Sequence, residues 1–371
     1  MRRHIQPKNF LKKLELLLTS SIHIFCDVID NFGDAGFCLR LSRDLCKFYN
    51  VTLFCNNLTV LKKITNKEDL SSSSKLQIYS WPNSNNYYHS PNIVIEAFSC
   101  RVPSCLIDEY KKNNPLIIEL EYLTAEPFAD DCHGLASFSD GLPRYFFFPG
   151  FTHKTGGLIF EKDFIEYANK SSICNSSSTK ILTLFSYHEA NHYALIKALS
   201  NSKFKFEINL FEGLQLEAIN KLLSTNLNIG DNLKLDNINF KVIPMVSQKE
   251  YDKMLISSDL NLVRGEDSIV RAMFSGKPFL WNIYPQEENA HKLKLEALFS
   301  RMKECLEEID LIEQIKDINL SYNNYGSALE NINFDEIYTS WTLLNKKWSA
   351  YLQSLGSLTD NLHKFIEDHL K

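Results

Sequence analysis

Short apolar runs alternate with helical patterns twice along this chain, and that alternation limits what it can fold into more than any single motif does. In the first half the runs are Ile22 to Val28, Val51 to Cys55, Leu76 to Tyr79, Ile93 to Glu96 and Leu116 to Glu119. Between them lie patterns such as Phe37 to Tyr49, where Leu39, Leu41, Leu45 and Phe48 share a helical face. Strands separated by helices pair in parallel, so each block predicts a sheet with helices packed on it. A second block follows, with strands expected at Ile181 to Phe185, Phe206 to Leu210, Phe240 to Ile243, Leu260 to Val263 and Pro278 to Trp281, and helices including Gln248 to Ser257 and Glu287 to Ser300. From Ile309 onward the chain reads as helices, ending in Trp341 to Leu355 and Leu358 to Leu370.

With 371 residues the chain exceeds one ordinary core. The polar, aperiodic stretch Ser171 to Thr179 is the expected linker, dividing an N-terminal domain (1–175, rejoined by a C-terminal helix, 356–371) from a second domain (176–355). The fold class is therefore α/β, two doubly wound Rossmann-like domains with a cleft expected between them and C-terminal helices packing back on the first. Between Glu121 and Gly157 the pattern breaks into a long irregular segment, which is commonly functional or a junction.

A net charge of −5 gives no reason to expect nucleic-acid or anionic-membrane binding by bulk electrostatics. Nine scattered cysteines without a Cys-x-x-Cys pair support neither a disulfide framework nor a zinc ribbon, and a reducing, cytoplasmic compartment fits best. The basic start, Met1 to Lys13, is followed by an apolar stretch broken by Lys12, Lys13 and Glu15, too weak for a signal peptide and too short to span a membrane.

Two segments carry the chemistry. Asp30-Asn31-Phe32-Gly33-Asp34 follows the first apolar run and places carboxylates around a glycine turn at the carboxyl edge of a sheet, where α/β enzymes keep their sites. Arg264-Gly265-Glu266-Asp267-Ser268 joins a strand to a helix, and free amides at a helix start suit a diphosphate, with Arg264 and Ser268 as further donors. Glu266 and Asp267 would repel phosphate unless at least one points elsewhere; a plain N-cap beside a surface Arg-Glu pair is the simpler alternative. Tyr284, Gln286 and Asn289 follow the last strand at the same sheet edge, where Pro285 also serves simply to open the next helix. His188-Glu189-Ala190-Asn191-His192 satisfies His-Glu-x-x-His, a zinc pattern, yet it starts where a strand ends and lacks the extended motif's downstream residues. Asp-x-Asp, the phosphate-binding Gly-x-x-x-x-Gly-Lys-Ser/Thr and the dinucleotide Gly-x-Gly-x-x-Gly are all missing, so kinase-like and dinucleotide-dependent chemistry lose weight.

The segment Phe25 to Leu41 resembles the family of protein-arginine rhamnosyltransferases that modify bacterial translation elongation factor P. The likeness continues through Val94 to Phe98, Leu120 to Glu126, Tyr145 to Thr152, Gly156-Gly157-Leu158, Arg264 to Ser268 and Tyr284 to Glu288. It implies a GT-B, inverting, metal-independent enzyme without a cofactor, taking dTDP-β-L-rhamnose as donor and an arginine of elongation factor P as acceptor. By the same resemblance Asp30 is the catalytic base, Asp34 a second essential carboxylate and Glu266 a third. The implied donor site comprises Asn31, Phe32, Gly33, Asp34, Tyr187, Gln248, Arg264, Gly265, Glu266, Asp267, Ser268 and Tyr284. Asn56-Asn57 depart from the acidic residues expected after the second strand, Ser186 and His188 are unusual beside Tyr187, and about twenty N-terminal residues have no counterpart.

Overall fold

A computed structural model describes residues 20–29, 32–65, 74–82, 89–171, 177–284 and 290–370. The chain divides into two units, the first from its described start to Leu123 with Phe128–Ile159 and the residues from Ser357 on, the second Thr124–Pro127 with Phe160–Gly356.

The first unit runs β1 (Ser21–Cys26), α1 (Phe32–Leu45), β2 (Asn50–Cys55), α2 (Leu58–Lys63), β3 (Leu76–Ser80), β4 (Ile93–Ala97), α3 (Ser104–Asn113), β5 (Leu116–Leu120), α4 (Phe128–Cys132), β6 (Ala136–Ser139) and β7 (Leu142–Phe147). These strands form one sheet in the order β3-β2-β1-β4-β5-β7-β6, parallel except for the β6–β7 pair. Parallel strands covered on both faces read as unbroken apolar runs, and Ile22, Ile24, Phe25 and Cys26 of β1 are fully buried. Phe25 stacks on Phe54 of β2 at 5.1 Å between ring centres, fixing the register at the sheet's middle.

The β6–β7 hairpin lies inside the stretch expected to be irregular. Asp140 (φ 56°) and Gly141 (φ 80°) make its turn, and two consecutive left-handed residues give the type I′ geometry that Asp-Gly favours between paired strands. That dipeptide is legible in the sequence. The exposed edge strand is not, because Ala136, Ser137, Phe138 and Ser139 offer no apolar face.

The second unit contains α5 (Lys162–Lys170), β8 (Thr179–Leu184), α6 (His192–Ser200), β9 (Lys205–Phe211), α7 (Leu214–Leu223), β10 (Asn232–Leu235), β11 (Ile238–Ile243), α8 (Gln248–Ser257), β12 (Leu260–Arg264), α9 (Gly265–Phe274), β13 (Phe279–Asn282), α10 (Ala290–Cys305), α11 (Ile309–Tyr322) and α12 (Phe334–Ser354). Its sheet is ordered β10-β11-β9-β8-β12-β13, with only β10 antiparallel. Buried Trp341 and Trp348 bring α12 onto the sheet's helical layer, where Trp348 Nε1 donates to the Met273 thioether Sδ at 3.2 Å.

The sequence placed residues 160–170 in the first domain, whereas α5 clusters with the second unit. The reason is Arg271 of α9, which is 1% exposed. Its guanidinium pairs with Asp252 at 2.7 Å and Glu161 at 2.6 Å and lies 3.6 Å from the centre of the Phe164 ring. A buried cation so enclosed ties the start of α5 to α8 and α9. Most of the expected linker, residues 172–176, lies outside the described residues, and its last residue, Thr179, already belongs to β8. The last helix, α13 (Leu358–His369), clusters with the first unit: His363 stacks on Phe48 at 3.9 Å and hydrogen-bonds the Tyr49 hydroxyl at 2.7 Å.

In the first sheet the chain steps from β1 to β2 on one side and returns to β4 on the other. In the second, β8 has β9 and β12 as its neighbours in the same way. Such reversals open a crevice at the carboxyl ends of the two central strands, because their outgoing connections diverge. Cys26 and Ala97 end the first pair; Leu184 and Arg264 end the second.

Candidate functional site

At the first switch point β1 delivers Asp27, Val28 and Ile29 to the surface before α1 begins at Phe32. Asp30 and Asn31 fall outside the described residues. Both shoulders of the loop that carries them are tied down. Asp34, in the first turn of α1 and 4% exposed, accepts the Ile29 N–H at 2.8 Å through Oδ2. A carboxylate in a helix's first turn is favoured by the helix dipole, and here it also grips the entering chain. Phe32 and Gly33, half-buried, open the helix between the two.

Asn56, on the connection from β2, supplies the other tie. Its Oδ1 accepts the Val28 N–H at 2.9 Å while its amide donates to the Asp27 carboxylate. The amide in place of an expected acid thereby makes sense, since an aspartate could accept from Val28 but would repel Asp27. Asn57 in turn caps α2 by accepting the Val60 N–H at 3.3 Å. Asn56→Asp is expected to lower turnover about tenfold by displacing the loop, with the global fold intact. A comparison of kcat and melting temperature with the parent checks it; unchanged kcat would remove Asn56 from the account.

β4 is followed by Phe98 (φ 58°) and Ser99 (φ 60°), consecutive left-handed residues without glycine. Such a turn persists only where its surroundings hold it. Phe98 stacks on Tyr122 at 4.8 Å and meets Phe37 of α1 edge-on at 5.2 Å. Glu96, fully buried, accepts from Arg144 Nε at 2.6 Å and from the Val102 N–H at 2.8 Å. Arg101 spans Glu96 and Glu119, the latter at 2.9 Å. Burial raises the Glu121 carboxyl above its ordinary range, repulsion by Glu119 adds to this, and Arg101 offsets part of it.

At the second switch point Arg264 closes β12 and Gly265 (φ 66°) turns into α9. The left-handed conformation favours glycine there, and the Gly265 carbonyl accepts the Trp281 indole N–H at 2.9 Å. Arg264 is 7% exposed and makes no side-chain cap. Its guanidinium sits 4.3 Å from the Phe185 ring centre and 4.8 Å from that of Tyr187, and donates to the Ser186 carbonyl at 3.1 Å. Stacking of this kind fixes the plane of the fork and leaves it oriented.

Tyr187 is held from behind by Asn282, which accepts its N–H at 2.8 Å, and Tyr284 crosses its ring edge-on at 5.4 Å. Thus Arg264, Gly265, Tyr187 and Tyr284 are brought together. The surface Arg-Glu alternative does not hold, because Glu266 pairs instead with Lys294 of α10. Asp267 and Ser268 are both largely buried in the same turn. Gln248, also buried, begins α8, whose Ser247 cap and Glu250 form a capping box. One turn along α8, the Tyr251 hydroxyl is buried, and burial raises its pKa. Gln286 and Asn289, with the proline between them and Tyr284, lie outside the described residues.

The zinc pattern does not form a zinc site. Helix α6 begins only at His192, with Asn191 as its cap, so the two histidines do not occupy successive turns of one helix. His192, buried, bonds the Ser186 hydroxyl at 2.9 Å, and desolvation lowers its pKa to about 4. His188, by contrast, is solvent-facing and pairs with Glu217 at 2.9 Å. Ser186 and His188, the unusual neighbours of Tyr187, are therefore each used structurally. Among the described residues no group of three or more histidine, cysteine or acidic side chains is arranged to hold a metal ion.

Sequence reasoning missed Asn56, Trp281, Asn282 and Lys294. Each acts on a partner remote in sequence, up to 95 residues away for Asn282 and Tyr187, and local patterns carry no such signal. Chemically, the first edge presents a carboxylate-braced acidic loop suited to a cation or proton. The second presents an oriented guanidinium at a helix start, suited to an anion.

The chain matches the family described as Elongation-Factor P (EF-P) rhamnosyltransferase EarP over residues 22–367. It is 34% identical to the protein-arginine rhamnosyltransferase of Shewanella oneidensis, over 93% of this chain and 97% of that one. With the protein-arginine rhamnosyltransferase of Pseudomonas putida it shares 33% identity over 76% of this chain and 81% of the other. A solved structure giving the structural basis for EarP-mediated arginine glycosylation of translation elongation factor EF-P matches with a TM-score of 0.65 at 20% identity, covering 95% of this chain and all of that one. The architecture is that of the GT-B glycosyltransferases.

Proposed function

We propose, because the chain belongs to the EarP family of elongation-factor P rhamnosyltransferases, that it transfers rhamnose from dTDP-β-L-rhamnose to one arginine of translation elongation factor P. The transfer proceeds with inversion, without a metal ion and in the cytoplasm, where the acceptor serves translation. Among the described residues no helix is long and apolar enough to cross a membrane.

Arginine is a difficult nucleophile. Its guanidinium keeps its protons at neutral pH, with a pKa above about 12, and its lone pair is delocalised. A carboxylate alone does not remove that proton from the resting group, so proton loss has to accompany attack on the anomeric carbon. Asp30 accepts the proton as the bond forms. Asp34, through its hold on the Ile29 N–H, fixes the loop from which Asp30 acts.

On the donor side the leaving dTDP gains charge as the glycosidic bond breaks. Arg264 and the amides of Glu266 to Ser268 take up that charge, which does the work assigned to a metal in other glycosyltransferases. Arg264 is the strongest support for this reading. A guanidinium clamped by two aromatic rings at a helix start is poised for a diphosphate and is poorly explained by stability alone. Tyr187, Gln248 and Tyr284 complete the donor side within the second unit.

The test is to incubate the protein with dTDP-β-L-rhamnose and elongation factor P, in chelator, and to weigh the acceptor. A single deoxyhexose on an arginine is expected. An unmodified acceptor, with a known family member active in parallel, would transfer the assignment to another nucleotide-sugar or acceptor on the same fold.

A further inference from the structure

The first turn of α9 carries two acids, Glu266 and Asp267, at the place where the proposed donor brings a diphosphate. Three negative groups around one helix start repel one another, and the helix dipole offsets only part of that. The structure provides a counterweight from another element. Lys294 of α10 makes an ion pair with Glu266, and both side chains are mostly enclosed, 16% and 21% exposed. Next to it, α10 is secured by His291, whose Nε2 bonds the Tyr325 hydroxyl at 2.8 Å, and by Lys292, which lies 5.5 Å from the centre of the Tyr325 ring.

We propose that Lys294 is a positioning residue for donor binding. It neutralises Glu266, so that the start of α9 meets the diphosphate with less negative charge. With Arg264 and Lys294 set against Glu266 and Asp267, formal charge at the turn balances before the donor arrives. Loss of Lys294 leaves one unbalanced carboxylate close to the phosphates and frees its side chain to fold over the helix start. This inference rests on the donor reading above and adds a residue that the sequence motifs did not single out.

The experiment is calorimetric titration of the full chain with dTDP-β-L-rhamnose and with dTDP, alongside steady-state transfer to elongation factor P. Lys294→Met is expected to weaken binding of both nucleotides about tenfold or more, raising the donor KM further than it lowers kcat. Lys294→Arg restores most of the affinity because it keeps the charge. In the Lys294→Met/Glu266→Gln double variant, which removes both charges together, nucleotide affinity recovers relative to Lys294→Met alone even though transfer stays slow.

A Lys294→Met protein that binds both nucleotides like the parent would overturn the proposal. So would a double variant with no recovery, since Lys294 would then act otherwise than through Glu266. Should Lys294→Met fold poorly by melting temperature, the double variant is compared with the parent instead: nucleotide affinity close to that of the parent supports the proposal, and a loss of about tenfold or more overturns it. A parent that binds neither nucleotide refutes the donor reading itself, which separates the two failures.

Discussion

Asp30→Asn is expected to bind dTDP-β-L-rhamnose within about threefold of the parent and to transfer rhamnose more slowly by a factor on the order of 10²–10⁴. Asparagine matches aspartate in size and keeps a carbonyl for hydrogen bonding. What it lacks is the ability to take a proton. With an acceptor whose pKa exceeds about 12, no other group of ordinary basicity removes that proton unaided, and the barrier rises by the full value of base catalysis. The ties on either side of Asp30 make the substitution informative: Ile29 remains bonded to Asp34 and Val28 to Asn56. Donor titration and single-turnover transfer separate binding from chemistry. Near-parental turnover with intact donor binding would show that Asp30 is not the base.

The second large effect is expected at Arg264. Arg264→Ala removes the only guanidinium this account assigns to the departing diphosphate, and loss of a preorganised group of that kind costs on the order of 10²–10³ in rate. It also empties a slot beside Phe185 and Tyr187, so some loss of stability accompanies it. Arg264→Lys distinguishes charge from shape. Lysine keeps the charge but neither the planar stack nor the fork, so it should recover only part of the activity, with donor affinity improving more than kcat. Kinetics over a range of donor concentrations, with a melting curve for each variant, provide the check. An Arg264→Ala enzyme with parental donor KM and kcat would exclude Arg264 from the leaving-group site.

How much of this was legible in advance depended on how local the determining contacts are. β1, β4 and β12 were plain, because strands buried on both faces must be continuous apolar runs. β10 was not: Asn232, Leu233, Lys234 and Leu235 form an exposed edge whose pairing is decided by β11. Helix α1 begins five residues before the expected Phe37 because Asp34 and Gly33 read as turn formers, whereas Asp34 serves the helix start. The bracing around the two motifs comes from Asn56, Asn282 and Lys294, whose partners are distant in sequence. At His188 and His192 a compact pattern matches a zinc motif, yet in the sequence it opens where a strand ends, and the backbone has that same strand end and a late helix start.

The central claim is that an arginine nitrogen attacks the anomeric carbon in one displacement. The most direct measurement is the linkage and anomeric configuration of the product, read by tandem mass spectrometry and NMR on elongation factor P modified by the wild-type protein from dTDP-β-L-rhamnose. An α-configured rhamnose on a guanidinium nitrogen is the predicted result. A β-configured sugar, or a sugar on any side chain other than arginine, would contradict it.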